Sequence, residues 1–217
     1  MITEVKNDLA SSLLSILRDK KSEGVSFRSA AEKLTFLLVE RALSNLPSNK
    51  VVIDTPVESN AEVSVLNDEV VFVPILRAGL LMLHPAISIY EKGRIGFAGV
   101  YRNEETLKPN LYYFKVPVIK DAFYFILDPM LATGGTAVCV VEKLLKLGIN
   151  PGKIKFISFV SAPEGIEKLK KFSGIEIFTA SIDRCLNDKG YILPGLGDAG
   201  DRFCYTEGVE VVEDYGI

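Results

Sequence analysis

The sequence predicts an α/β fold in one domain: a mostly parallel central sheet flanked by helices, with helices at the N-terminus and a hairpin arm. Three observations point there. From residue 49 onward, short β-rich runs alternate with helical ones, the pattern of βαβ units and hence of a parallel sheet. Two of those runs, 70–76 (Val-Val-Phe-Val-Pro-Ile-Leu) and 122–127 (Ala-Phe-Tyr-Phe-Ile-Leu), are almost continuously apolar, as strands covered on both faces must be. Before them, residues up to about 46 carry helical rather than alternating spacing.

In order along the chain, Leu9, Leu13, Ile16 and Leu17 share one helical face. After a break at Gly24, Ser29-x-x-Glu32 looks like a capping box opening a second helix through Leu34, Leu37, Leu38 and Ala42, ended by Pro47. Residues 51–53 and 63–66 are candidate strands, 70–76 a buried strand, 80–87 a helix and 95–101 a strand. Residues 111–116 are extended, and 122–127 form the second buried strand. An amphipathic helix over 136–147 closes at Gly148. A strand at 154–160 follows, then a helix over 163–172 with Pro163 in its first turn, and 175–180 as the last regular strand. No repeat or linker divides the chain, so residues 1–217 read as one domain: an N-terminal helical segment (1–48), a loop and hairpin arm (102–117) and a late irregular loop (186–206).

Composition narrows the function. Of 217 residues, 48% are apolar and 24% charged, ordinary for a globular protein, which excludes collagen, coiled coil and long disorder. Twenty-five Lys+Arg against 28 Asp+Glu give a net charge of −3, against the basic balance of a protein whose main task is gripping nucleic acid. No apolar run approaches the ~20 residues that span a bilayer, and the first residues lack the layout of a secretory signal. Cys139, Cys185 and Cys204 show no C-x-x-C spacing, so reduced thiols in a cytoplasm are expected. A single histidine, His84, rules out a zinc site of several imidazoles; it is expected to be a packing residue near a helix end. Lys168, Lys170 and Lys171 read as a solvated helix face.

In doubly wound sheets, ligands sit beyond the carboxyl ends of the strands, so the residues just after each buried strand carry the chemistry. The run Phe125-Ile126-Leu127-Asp128-Pro129-Met130-Leu131-Ala132-Thr133-Gly134-Gly135-Thr136 ends a strand in an acid, then opens a helix with Thr-Gly-Gly-Thr. Glycines admit close approach of the backbone, and successive free N–H groups at a helix N-terminus cradle an anion. That describes a phosphate site, although a plain capped turn has the same letters; no Gly-Lys-Ser/Thr closes it, so it is not a Walker A loop. Asp128 is placed to accept hydrogen bonds from a vicinal diol. After the other buried strand, Arg77-Ala78-Gly79 offers a planar guanidinium for a phosphate, or simply a surface arginine. Tyr101-Arg102-Asn103-Glu104-Glu105-Thr106-Leu107-Lys108-Pro109 is too polar for core; it could close over an anionic substrate or be a solvated loop. Gly190 to Arg202 holds four glycines, a proline and two acids and forms no regular element. A backbone-lined pocket there would suit a flat heterocycle, because peptide groups both donate and accept; a surface loop is the plainer alternative.

Together these segments resemble the uracil phosphoribosyltransferases, a family with the type I phosphoribosyltransferase fold. Asp128 to Gly135 looks like that family's phosphoribosyl-diphosphate (PRPP) motif. The other three segments, and Ala162-Pro163-Glu164-Gly165-Ile166, match in order and approximate spacing, so that the likeness covers about 26–206. Asp128 is followed by Pro129 where most type I members have a second acid, and the tail beyond 206 extends past many members. The resemblance implies uracil + PRPP → UMP + diphosphate, hence pyrimidine salvage, by Mg²⁺-dependent displacement at the anomeric carbon without a covalent enzyme intermediate. It further implies that Asp128, Pro129, Met130, Leu131, Ala132, Thr133, Gly134, Gly135 and Thr136 hold the ribose hydroxyls and 5′-phosphate. Arg77 and Arg102 would bind the diphosphate. Tyr191, Ile192, Gly197, Asp198 and Ala199 would take the uracil, with Asp198 also near PRPP and weakly near its metal. It implies a homodimer or homotetramer, with GTP or CTP as effectors. A transferase for another base, an RNA-binding regulator and a PRPP sensor are the alternatives that the residues leave open.

Overall fold

The computed structural model describes residues 1–66, 68–102, 109–206, 208–210 and 212, with the side chain of Arg102 outside that description. The loop expected to close over substrate, at 103–108, therefore lies outside the described residues, as does most of the tail.

The main sheet is built from strands whose sequences leave them nowhere else to go. β4 (Val70–Leu76), β8 (Phe123–Leu127) and β10 (Ile154–Ser161) are buried along essentially their whole lengths, so each must sit between two helical layers. Among the described residues the strand order is β1-β11-β10-β8-β4-β6-β7, with β1 (Ile2–Glu4), β11 (Glu176–Ile182), β6 (Phe97–Arg102) and β7 (Pro109–Lys115) completing it. All neighbours pair in parallel except β6 and β7. Short β5 (Arg94–Ile95) adds to β4, and β9 (Met130–Leu131) to β10.

The side-chain alternation of these strands divides the core in two. Phe72, Phe125, Leu127, Phe159 and Phe178 face α1 (Asp8–Arg18), α2 (Gly24–Leu43) and α3 (Leu80–Ile89); Val71, Val73, Tyr124, Ile126 and Phe156 face α4 (Gly135–Lys146) and α5 (Pro163–Lys170). Phe72 and Phe125 meet edge to face at 5.7 Å, an arrangement worth roughly 0.5–1.5 kcal/mol beyond area burial.

Topology fixes where a ligand goes. From β4 the chain passes through α3 to β6 on one side, whereas β8, α4, β10, α5 and β11 build outward on the other. The order reverses between β4 and β8, so the crevice opens beyond their carboxyl ends, at Leu76 and Leu127.

Several expectations are corrected. The first 46 residues are not all helical: Ile2–Glu4 pairs with β11, and the terminal amine of Met1 donates to the Ile175 carbonyl at 2.9 Å. The second helix starts at Gly24, not Ser29, because Phe27 and Ala30 are core residues that draw the preceding turn into the helix. The hairpin arm expected at 102–117 is present as the antiparallel β6–β7 pair, joined to the main sheet through the β6–β4 pairing. The hairpin standing apart is β2 (Asn49–Ile53) with β3 (Ala61–Val65). Beyond β11 the chain is still regular in places: β12 (Cys185–Leu186) pairs with β13 (Ile192–Leu193), and α6 spans Ala199–Cys204.

Candidate active site

Asp128 follows β8 directly. Its N–H donates to Ile157 O of β10 at 3.1 Å, and the carbonyl of Pro129 accepts from Phe159 (2.9 Å) and Val160 (3.2 Å). Proline has no N–H to give, so the sheet continues through its carbonyl and resumes as β9. Met130 and Leu131 are thus strand rather than loop, and the Leu131 side chain, 1% exposed, belongs to the core.

Ala132 and Thr133 then lead to Gly134, whose φ of +75° starts α4 without a side-chain cap. That conformation is open to glycine at little cost. The first helical bond is Val138 N–H to Gly134 O. The amides of Gly135, Thr136 and Ala137 therefore have no intrahelical acceptor and carry the positive end of the helix dipole; Gly135 N–H has only a long 3.5 Å approach to Thr133 Oγ1. A crevice of about 60 Å³ runs from Asp128 to Ala137. It is far below the ~300–1,000 Å³ of a whole-ligand pocket, and so suits one terminal group such as a phosphate. Behind it, α5 supports the turn: a Cβ on Gly165 would lie 2.5 Å from Ala132 O and 2.9 Å from Leu131 Cγ. The Ala162–Ile166 segment is thus a buttress.

Arg77 follows β4 directly, after a cis Leu76–Arg77 peptide. Gly79 lets the following turn press on β8: a Cβ there would meet Leu127 O at 2.4 Å. Arg77 Nη2 lies 3.2 Å from Asp201 Oδ1, both side chains well exposed, so this pair contributes little to stability and separates easily. Asp198 caps α6 by accepting Asp201 N–H at 2.9 Å. The start of α6 sits against the β4–α3 turn, where a Cβ on Gly200 would be 3.8 Å from Ala78 Cβ.

Asp128 lines this crevice, and the charge of Asp198 reaches it. Burial pushes the Asp128 carboxyl up from the usual 3.8 to about 7, against a lowering by the Met130 N–H, with the Asp198 charge adding to the rise. Burial with a like charge nearby raises a carboxyl in this way, and such perturbation is typical of functional sites. Oxygen ligands of this kind suit a hard divalent cation. Among the described residues no three acidic, histidine or cysteine side chains converge.

The structure thus brings together the turn carrying Arg77, the Asp128–Thr136 segment and Asp198. Arg102 ends β6, with its side chain outside the description. Ile192 and Ala199 are core side chains, at 6% and 0% exposure, so only their backbone could meet a base. Both backbone groups of Tyr191 are engaged by Asn187, leaving its exposed ring. His84 is corrected: it stands inside α3 with its side chain 83% exposed, 3.8 Å from Glu32, and so is not a packing residue. Lys168, Lys170 and Lys171 are exposed as expected, while Leu169 between them is core. The residues missed are the half-buried Arg18 and the buried Asp183 and Arg202, anchors of the late loop. Asp183 had a usable signal, since it too is an acid just past a strand's carboxyl end.

The family model for uracil phosphoribosyltransferase matches residues 4–206. The uracil phosphoribosyltransferase of Lactococcus lactis subsp. lactis is 42% identical over 205 residues, covering 94% of this chain and 97% of that one. That of Fervidobacterium nodosum is 41% identical over 210 residues, 95% of this chain and 100% of the relative. A solved protein of Aquifex aeolicus superimposes with a TM-score of 0.88 at 39% identity, covering 98% and 100% of the two chains. The adenine phosphoribosyl transferase of Trypanosoma brucei shares the fold alone, at TM-score 0.57 and 11% identity, over 98% of this chain and 92% of that one.

Proposed function

Because the chain belongs to the uracil phosphoribosyltransferase family, we propose that it joins uracil to PRPP, releasing UMP and diphosphate, and so serves pyrimidine salvage. The observation that carries this reading is the pairing, at the sheet's reversal point, of a raised-pKa carboxyl with the uncapped N-terminus of α4. One holds sugar hydroxyls and the other a phosphate, and they sit a short strand apart.

Displacement at an anomeric carbon passes through an oxocarbenium-like state with little covalent work for the protein. Rate then comes from alignment and from stabilising the departing charge. The amides of Gly135 to Ala137 hold the 5′-phosphate, and Asp128 accepts from the ribose hydroxyls. Arg77, released from Asp201, meets the diphosphate with its planar fork, and Arg102 joins it from β6. Peptide groups of the 192–199 segment recognise the base. Cytosine, with the donor and acceptor pattern reversed at its 4-position, would leave buried groups unpaired.

The two carboxylates fit a Mg²⁺ ion, whose charge would relieve their repulsion. With no third side-chain ligand among the described residues, such an ion would take most of its oxygens from PRPP, with Asp198 a weak contributor. When bound, it supplies charge neutralisation for the diphosphate.

The free-standing β2–β3 hairpin supports the homodimer or homotetramer we propose: Val52, Ile53 and Val57 are exposed on it, and a lone hairpin is marginally stable in water. Free thiols at Cys139, Cys185 and Cys204 support a cytoplasmic setting. GTP and CTP are proposed effectors, tested by adding them to the assay. The decisive assay combines the purified protein with labelled uracil, PRPP and Mg²⁺. Labelled UMP is expected, and none with uracil but product with another base would overturn the assignment.

A further inference from the structure

We propose that Arg18, Asp183 and Arg202 are positioning residues that set the shape of the base-recognising loop by hanging it from the end of α1. The proposal rests on the function proposed above. The chain turns back at Gly195, where φ is +63° and an added Cβ would lie 2.2 Å from Ile192 O, so the turn admits no side chain. Both peptide groups of this residue are held by one ion pair. Its N–H donates to Asp183 Oδ2 at 2.9 Å, and its carbonyl accepts from Arg18 Nη1 at 2.8 Å. Arg18 and Asp183 close the ring by a two-armed pair, Nη1 to Oδ2 at 2.8 Å and Nη2 to Oδ1 at 2.6 Å, and Ser181 Oγ donates to Oδ1 at 2.8 Å.

The next carbonyl, of Leu196, is held from the other side by Arg202 Nη1 at 2.6 Å. The same guanidinium donates to the carbonyls of Leu17, Asp19 (2.8 Å) and Ser22 (2.7 Å), and lies over the Phe27 ring at 4.4 Å. Two consecutive peptides are therefore fixed from two sides, immediately before Gly197 and Asp198. The fixed end of both clamps is the C-terminal turn of α1 and the segment leading to α2, whose residues are not among those lining the Asp128–Thr136 crevice described above. Charge-assisted bonds that replace water so fully hold geometry rather than add affinity. Loosening them should blur the backbone pattern read by the base while leaving the phosphate cradle in place.

The test compares Asp183→Asn and Arg18→Lys with the parent in steady-state kinetics, after thermal unfolding has shown which are folded. Asp183→Asn keeps the shape but loses the charge; Arg18→Lys keeps the charge but cannot make the two-armed contact. In each folded variant the expected result is a KM for uracil raised about tenfold or more, the scale of one lost charge-assisted bond, with the KM for PRPP within about twofold. Uracil-to-cytosine discrimination should fall, and amide exchange at Gly195 and Leu196 should quicken. The milder Arg18→Lys decides by the same split should Asp183→Asn not fold. Unchanged constants, or uracil and PRPP constants moving together, would overturn the proposal. Slow amide exchange at Gly195 in the parent is required in every case, and fast exchange there would overturn it without any variant. A parent that makes no UMP would instead overturn the function itself.

Discussion

Asp128 carries two opposed demands. Its carboxyl titrates near 7 instead of 3.8 because burial and Asp198 disfavour the charge. Between those values the native state binds more protons than the unfolded one, so this residue makes stability fall as pH rises from about 4 to about 7, the loss being complete above. Asp128→Asn should remove that part of the slope. In urea unfolding the variant should gain more over the parent near pH 8 than near pH 5, while turnover drops at least about a hundredfold. An equal gain at both pH values would place the carboxyl in water. Asp183 has the opposite sign. Burial raises its carboxyl, but hydrogen bonds from Arg18, Ser181 and Gly195 and the Arg18 charge outweigh it and hold the group below the ordinary range. Its contribution is present above the unfolded value and is lost as pH falls through the folded one. For Arg77, paired with an exposed aspartate, Arg77→Ala should leave circular dichroism unchanged and lower turnover by about 10²-fold or more, or ~2–4 kcal/mol. Unchanged kinetics would remove it from the site.

At the level of elements, the phosphate cradle is a joint product of β9, α4 and α5. Gly165→Ala puts a methyl against Ala132 O at 2.5 Å and must displace the cradle. Such overpacking costs ~1–3 kcal/mol, and the KM for PRPP should rise at least about tenfold with that for uracil little changed; a normal PRPP constant would show that α5 does not set the turn. What was legible in the sequence follows the same physics. β4 was read at its true bounds because a seven-residue apolar run has only one home, and α4 because its apolar face and Gly148 are local signals. β1 was missed because three residues, Ile-Thr-Glu, carry no period. The capping box at Ser29 misled because the burial of Phe27, a tertiary fact, outweighs a local cap. β13 and α6 stayed hidden in a glycine-rich stretch whose order comes from Arg18, distant by 165 residues from Asp183.

Over the whole molecule, the strand order reverses between β4 and β8; Arg77 and Asp128 stand just past those ends, the cradle follows Asp128 through β9 into α4, Arg102 ends β6 and Asp198 caps α6. The location of the site was legible, since an acid and an arginine each follow a buried strand; the clamp that shapes its base side was not, because ion pairs between distant segments leave no local trace. The hairpin of β2 and β3 offers a test of assembly. Equilibrium sedimentation should give a mass above the 23.8 kDa chain, and Val52→Asp should shift it toward the single chain; a parent already monomeric at micromolar concentration would contradict the assembly. The most direct measurement is a crystal structure with UMP bound. Its 5′-phosphate oxygens should lie about 3 Å from the amides of Gly135, Thr136 and Ala137, with the ribose hydroxyls on Asp128. A phosphate lodged elsewhere, with this crevice closed by side chains, would contradict the reading of the site.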